Sequence, residues 1–428
     1  MYLNSTIKEN IKSQEFISFG LNNQLKRKEM KTCGLDVHKD SVFCAIHDGK
    51  TTTEVKSYPT LTNTLREMGE YLMVEGVEKI AMESTGIYWI PVWNILESMS
   101  FELILVNPYL IKQMPGRKSD VKDAQWIATL LNKGLLRGSL VPNETIRELR
   151  CYSRKYVKLQ GRITSLLQEM ERTLEMCNIR ITSFVSNISG KSISKVINAV
   201  IEGETSAVKL EELVHRRIRN KHQEKIRESL EGFITPHHRF TLELLKEEYE
   251  LLLEQADRVK SKMQAICYAH YSREMDLLVT LPGVDTLAAM LLIAETGADM
   301  KAFESSGKFA GWTGLRPRND ESAGKYKSTA TTKGNKYLRS VLVQIAWGAS
   351  RTKGSFFMER YTRLAMRKSR KKALVAIARK ITVVIWNLLS RNEAYNPGLV
   401  PVYDPAKLSS KISYHQKEIE RLENLKKK

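Results

Sequence analysis

Thr32-Cys33-Gly34-Leu35-Asp36-Val37 decides the fold: a short apolar and β-branched run that carries an acid near its end and meets a turn at Lys39-Asp40. Such a run, bounded by turn residues, predicts a strand. Working outward, a second strand is expected over Ser41 to His47 and a third over Thr51 to Ser57. Residues 61–76 form an amphipathic helix through Leu65, Met68, Leu72 and Met73. Lys79-Ile80-Ala81-Met82-Glu83 is another short strand ending in an acid. Tyr88 to Met99 is helical, and Phe101 to Val106 is a strand closed by Asn107-Pro108. Strands alternating with helices predict a layered α/β sheet covered on both faces.

Function in such sheets gathers at the C-terminal ends of the strands. If the strands ending at Asp36 and Glu83 are neighbours, both carboxylates emerge at one edge. Downstream, Lys118-Ser119-Asp120-Val121-Lys122-Asp123-Ala124-Gln125-Trp126-Ile127-Ala128 opens a helix with two aspartates three residues apart. Positions i and i+3 share a helix face, so Asp120 and Asp123 can close the cluster. Taken singly, each acid has a plainer reading: an acidic first turn, a strand-end turn residue, a neighbour of a helix cap. Four acids on three elements, with no matching histidine ligands, suit a hard, oxygen-seeking cation such as Mg²⁺. A site of that kind supports phosphoryl transfer.

At 428 residues and 42% hydrophobic content, the chain has room for two or three cored domains. Its net charge of +20 points to a polyanionic partner, most simply nucleic acid. Cys33, Cys44, Cys151, Cys177 and Cys267 are odd in number, far apart and show no C-x-x-C spacing, which argues against a zinc ribbon or disulfide framework and fits a reducing cytoplasm. No run approaches the roughly 18 apolar residues of a membrane span. The N-terminus lacks the apolar core of a signal peptide, so the expected location is the cytoplasm, with no membrane partner.

Residues 1–29 read as a flexible basic arm ending in Lys26-Arg27-Lys28, and 30–145 as the α/β domain. Over 146–272 the pattern becomes helical. Leu149, Tyr152, Tyr156, Leu159, Ile163, Leu166 and Met170 keep a 3-4 spacing, and so do Leu242, Leu245, Tyr249, Leu252, Ala256, Val259, Met263 and Ile266. Such heptads predict a coiled coil, either folded back within one chain or pairing two chains. Residues 178–240 between the registers are short helices broken at Ser189-Gly190, Gly203 and Pro236. His237 and His238 read as solvated turn residues rather than metal ligands.

A third domain is expected over 273–395, followed by a tail over 396–428. Leu281-Pro282-Gly283-Val284-Asp285 before a helix resembles a helix–hairpin–helix element, whose glycine turn offers amides to a phosphate; a plain helix start is the alternative. Phe309 to Lys325 reads as a polar, glycine-punctuated loop carrying Arg316, Arg318, Ser322 and Lys325. Lys333, Lys336 and Arg339 lie at the start of the next helix. Arg351, Lys353, Arg360, Arg363, Arg367, Lys368, Arg370, Lys371, Lys372, Arg379 and Lys380 follow, beside an apolar face of Leu374, Val375, Ile377 and Ala378. That combination predicts a folded basic surface made for phosphate contacts.

CGLDVHKD, AMESTGIYW, LVNP, GRKSDVKDAQWIA, ISGKSISKVINAVIEGE, LPGVDTLAAMLL, FAGWTGLRPRNDESAGK and TKGNKYLR, in that order, resemble the DEDD transposases of bacterial insertion-sequence family one-ten. The resemblance covers nearly everything from Lys31 to about Asn392. It implies a RuvC-like (RNase H-type) N-terminal domain, a coiled-coil segment and a mostly helical C-terminal transposase domain. It maps the acidic tetrad onto Asp36, Glu83, Asp120 and Asp123. It also places a nucleophilic serine at Ser322, which forms a covalent phosphoserine link to DNA beside acids supplied by another subunit. Partners implied are donor and target DNA, an element-encoded bridge RNA as guide, and further copies of the chain as a dimer or tetramer, acting at the bacterial nucleoid. Glu321-Ser322-Ala323 departs from the pattern, with alanine where glycine is common.

Two other readings compete on the residues alone. A RuvC-like structure-specific endonuclease would use the tetrad with water as nucleophile. A domesticated nucleic-acid-binding protein would use neither acids nor serine, against which the four intact acids count.

Overall fold

The computed structural model describes residues 30–84, 86–108, 120–185, 187–318, 320–322, 325–328, 330–399 and 405–426. The expected basic arm over 1–29 lies outside them. The chain forms two compact units that divide between Val141 and Pro142.

The first unit runs β1 (Lys31–Val37), β2 (Ser41–His47), β3 (Lys56–Pro59), α1 (Thr62–Val74), β4 (Val77–Glu83), α2 (Trp89–Ser98), β5 (Glu102–Val106) and α3 (Asp120–Asn132). Its sheet order is β3-β2-β1-β4-β5. β2 is antiparallel to β1 and β3, while β4 runs parallel to β1 and β5 parallel to β4. This is the RNase H-type arrangement that the resemblance implied. Strand alternation sorts side chains between two faces. Cys33, Leu35, Ile80 and Met82 face Leu65, Met68, Leu72, Val92 and Leu96 of α1 and α2. Ala81 and Val106 face Ile127 and Leu131 of α3.

The third strand begins at Lys56, not Thr51. The Asp48 carboxylate accepts hydrogen bonds from the amides of Lys50 and Thr51 at 2.8 and 2.7 Å. Thr53 donates its amide to the Ile46 carbonyl at 2.7 Å, so the stretch after β2 is spent on a side-chain-capped turn. All five cysteines are free thiols; Cys33 and Cys44 lie 3.5 Å apart, sulfur to sulfur, inside the sheet's core.

In the second unit, α4 (Glu144–Met176) and α8 (Pro236–His270) lie antiparallel. Leu159, Ile163 and Leu166 bury against Leu252 and Ala256, and Arg162 reaches Glu248 at 2.8 Å. The two heptad registers therefore satisfy one another within one chain. Between them, α5 (Lys191–Ile201), α6 (Ala207–Glu212) and α7 (Arg216–Leu230) enclose a small core of Ile193, Val196, Ile197, Val200 and Ile226. His237 and His238 are not turn residues. Pro236 starts α8 at its first position, and buried His238 accepts the Thr235 amide in a capping box.

The remainder of this unit is α9 (Ser272–Val279), α10 (Thr286–Thr296), α11 (Ser306–Trp312), β6 (Asp320–Ser322), β7 (Lys325–Ser328), α12 (Lys336–Ala349), α13 (Phe356–Ala365), α14 (Arg370–Arg391) and α15 (Pro405–Lys426). Gly283 has φ +86°, and a Cβ there would stand 2.5 Å from the Ile345 carbonyl oxygen of α12. The glycine of the Leu281–Asp285 turn thus answers to close packing. The Asp285 carboxylate takes the Ala288 amide at 2.7 Å and caps the start of α10.

One helix among the described residues, α14, is long and apolar enough by composition to cross a membrane, although Arg379 and Lys380 interrupt its apolar residues. Its Ile377, Ile381, Ile385 and Leu388 are core residues of the second unit.

Candidate active site

The four predicted acids sit on β1, β4 and α3. Leu35 pairs with Met82, so Asp36 and Glu83 come next, side by side on adjacent parallel strands. Gly34 brings α3 onto this edge, because a Cβ there would strike the backbone of Ala124 and Ala128. Two hydrogen bonds set the register. Asn132 donates to the Met30 carbonyl at 2.9 Å, and the Thr32 hydroxyl donates to the Ala128 carbonyl at 3.2 Å. Two strand residues, about 6.6 Å, match four helix residues, about 6 Å. Continued past Gly34, this ladder brings helix position 120 level with Asp36. The Asp120 side chain itself lies outside the described residues.

Asp36 is only 7% exposed. Burial pushes its carboxyl above the ordinary carboxylate range, adjoining His38 pulls it down, and the negative charges of Glu83 and Asp123 push it up again. Glu83 and Asp123 therefore each stand within electrostatic reach of Asp36. His38 Nε2 lies 3.1 Å from Asp36 Oδ2. A histidine thus stands at this edge as a hydrogen-bond partner of Asp36. The available signal was D-x-H at the end of β1, since a residue two further on returns to the same side.

Among the described residues no three His, Cys, Asp or Glu side chains close on a single ion. Carboxylate oxygens from three elements are nonetheless the donor chemistry of a hard divalent cation.

Ser322 does not lie in an irregular loop. The described residues between Trp312 and Asn335 pair as the two limbs of a ribbon. Asn335 donates to the Trp312 carbonyl at 3.1 Å, Thr332 to Arg316 at 2.9 Å and Arg318 to Ala330 at 2.9 Å. β6 and β7 continue the ladder, with Ser322 opposite Lys325 at its outer end. Gly314, at φ +73°, and Gly334 permit this, since a Cβ on Gly334 would meet the Trp312 carbonyl oxygen at 2.5 Å. A zipped backbone of polar and glycine residues carries no hydrophobic alternation, which hid the ribbon from the sequence.

The predicted nucleic-acid-binding residues fall into two groups. Arg316, Arg318, Lys333 and Lys336 are exposed along the inner ribbon and the start of α12, with Arg339 half-buried behind them. Lys325 lies on β7. Arg367, Lys371 and Lys372 are exposed at the start of α14, whose opposite face holds buried Ala373, Ile377 and Ala378.

Sequence reasoning missed a buried charge network at the base of the ribbon. Glu295, on α10, is 1% exposed. Arg154 of α4 donates to its two oxygens at 2.8 and 3.0 Å, and Asn335 donates to Oε2 at 2.6 Å. Arg150 donates to the Ala294 and Glu295 carbonyls at 3.2 and 2.8 Å. Burial pulls the Arg150 guanidinium down, while the hydrogen bonds to Glu295 push Arg154 up. No spacing rule links residues 154, 295 and 335, so nothing in the sequence marked them as a unit.

A family model of the DEDD IS110 type, described as "Transposase", matches residues 33–179, and one described as "Transposase IS116/IS110/IS902 family" matches residues 275–362. The transposase for insertion sequence element IS1111A of Coxiella burnetii is 24% identical over 411 residues, which is 91% of this chain and 97% of that one. A Sinorhizobium fredii sequence bearing a transposase name, y4pF/y4sB, is 32% identical over 152 residues, covering 33% of this chain but only 38% of its own length. Among solved structures, Thermus thermophilus RuvC in complex with a Holliday junction substrate aligns over 26% of this chain and 99% of its own, at 12% identity and a TM-score of 0.21.

Proposed function

Since the chain belongs to the IS110 family of transposases (insertion-sequence family one-ten), we propose that it is a site-specific DNA recombinase that cuts and rejoins strands through Ser322 and the Asp36, Glu83, Asp120 and Asp123 cluster. The observation that carries this reading is the convergence of acids at one sheet edge, where the charges of Glu83 and Asp123 push buried Asp36 upward. A cation among like charges gathered at such an edge would relieve their repulsion. The four carboxylates would hold Mg²⁺, which when bound would activate the attacking hydroxyl and steady the departing oxygen.

The Ser322 hydroxyl oxygen attacks the phosphorus of a DNA phosphodiester. The P–O bond to the departing strand breaks, that strand leaves with the oxygen, and a phosphoserine ester remains on the chain. Attack by the partner strand's hydroxyl then reverses the step and releases the serine. A serine hydroxyl is a weak nucleophile and needs an activating group. The acids are its expected source, supplied by another copy of the chain in a dimer or tetramer. The heptad stripe lends no support to that assembly, because the α4–α8 hairpin consumes it within one chain. Donor and target DNA would be chosen by an element-encoded bridge RNA, in the bacterial cytoplasm. Support for polyanion binding comes from the net charge of +20 and the exposed basic residues at the start of α14.

Mixing tests the composite site. A Ser322→Ala chain and an Asp36→Ala chain, each inactive alone, are combined on a plasmid carrying the DNA that flanks the gene, with the RNA transcribed from it. Recovery of strand cleavage in mixed assemblies is the expected result. No recovery despite proven co-assembly would place the serine and the acids in one chain.

A further inference from the structure

We propose that Glu295 is a positioning residue for strand cleavage: its buried carboxylate ties the return limb of the Ser322 ribbon to the long helix α4, through Asn335 on one side and Arg154 on the other. The proposal rests on Ser322 being the nucleophile.

Asn335 works at three places at once. Its amide closes the base of the ribbon on the Trp312 carbonyl, its Oδ1 accepts the Tyr337 and Leu338 amides to cap α12, and its Nδ2 donates to Glu295. The ribbon's closing pair and the start of α12 are therefore set by one side chain, which Glu295 orients. Arg154 holds Glu295 with two parallel hydrogen bonds, and its guanidinium lies 4.8 Å from the ring centroid of Tyr337, on the first turn of α12. Each member of the node is thus bound at both ends.

Stability alone gives little reason for such a node, because well-packed apolar residues commonly replace a buried ion pair at no loss. Leverage gives a better one. Trp312 to Ser322 is ten residue steps, which span at most about 33 Å at the strand rise of ~3.3 Å per residue. A tilt of about 2° at the base then moves the tip by about 1 Å, a displacement that costs on the order of 100-fold in rate for a reacting group. The residue controlling that tilt need not approach DNA at all.

A hydrogen-bond reversal tests this in the full chain. Asn335→Asp keeps an equally good helix cap but sets a carboxylate against the Glu295 carboxylate. Adding Glu295→Gln restores the link to position 335 with donor and acceptor exchanged and keeps one negative charge near Arg154, at the loss of the Arg154 Nη2 hydrogen bond to the oxygen that the amide nitrogen replaces. The readouts are the single-turnover rate of the protein–DNA adduct at saturating DNA, DNA affinity, thermal melting, and amide exchange over 312–335. Expected for Asn335→Asp is an adduct rate lower by on the order of 100-fold at unchanged affinity, with faster amide exchange confined to the ribbon. The double variant should recover part of the rate and the protection, since one Arg154 hydrogen bond remains. A double variant no faster than either single one would overturn the proposal, as would a rate that falls only in step with the folded fraction. Full activity of Asn335→Asp, with the adduct still abolished by Ser322→Ala, removes the positioning role and leaves the serine reading intact. An adduct that survives Ser322→Ala removes both.

Discussion

The sheet edge and the ribbon hold their functional residues by opposite means. At the edge, Asp36 and Glu83 end strands whose neighbouring residues, Leu35 and Met82, are fully buried, and α3 is pressed onto Gly34 so closely that no side chain fits between. The carboxylates are thereby fixed by a packed interior with no slack. Ser322 rides instead on a ladder of backbone hydrogen bonds anchored at one end by polar side chains. A cluster of like charges needs rigid walls, because its members repel. If Ser322 is the nucleophile proposed above, an arm whose aim is set at its base suits a group that must meet a phosphate on a separate strand.

The largest effects should come from the residues that each device presents. Asp123→Ala should abolish DNA cleavage while RNA binding, measured by filter retention, persists; normal recombination by that variant would end the tetrad assignment. Ser322→Ala should remove both strand exchange and the covalent adduct seen on denaturing gels. Persistent nicking without an adduct would instead mean water attacks at the acid edge, as in a nuclease, and the ribbon would lose its chemical role.

The contrast in rigidity predicts a smaller, graded effect. Gly34→Val drives a branched side chain into the backbone of α3 and should cost about 1–3 kcal/mol, typical of overpacking, read as a lower melting temperature together with lost cleavage. A variant with unchanged melting would show that the edge has slack after all. Smallest is the salt response. Each phosphate contact contributes a slope of roughly −0.9 to log affinity against log salt on duplex DNA, so Lys371→Ala or Lys372→Ala should flatten the slope by about one such step. A slope that none of the exposed basic residues alters would remove the start of α14 from the interface.

Much of the acid edge was legible because strands and helices write their burial into a period of two or 3.6, and Asp36, Glu83 and Asp120 stand where those periods begin or stop. The heptads of α4 and α8 were equally plain, but which chain each would pair with is a tertiary choice that spacing does not encode. The third strand was placed early because Asp48 and Thr53 turn the chain with side-chain hydrogen bonds that no hydropathy pattern announces. The ribbon and its Glu295 anchor stayed hidden for a related reason: their order comes from hydrogen bonds between residues 40 and 141 positions apart.

The closure of α3 over β1 also has a meaning in time. The hydrogen bond from Thr32 to Ala128 spans 96 residues, so during synthesis the strand bearing Asp36 waits for its cover for about 5–20 s, at roughly 5–20 residues per second. Until then Gly34 has nothing against it, and Asp36 has neither Asp120 nor Asp123 beside it. Cutting power would therefore reach the nascent chain late, and a gene copy interrupted between Glu83 and Asp120 would yield a product with two of the four proposed acids and without the helix that closes the edge.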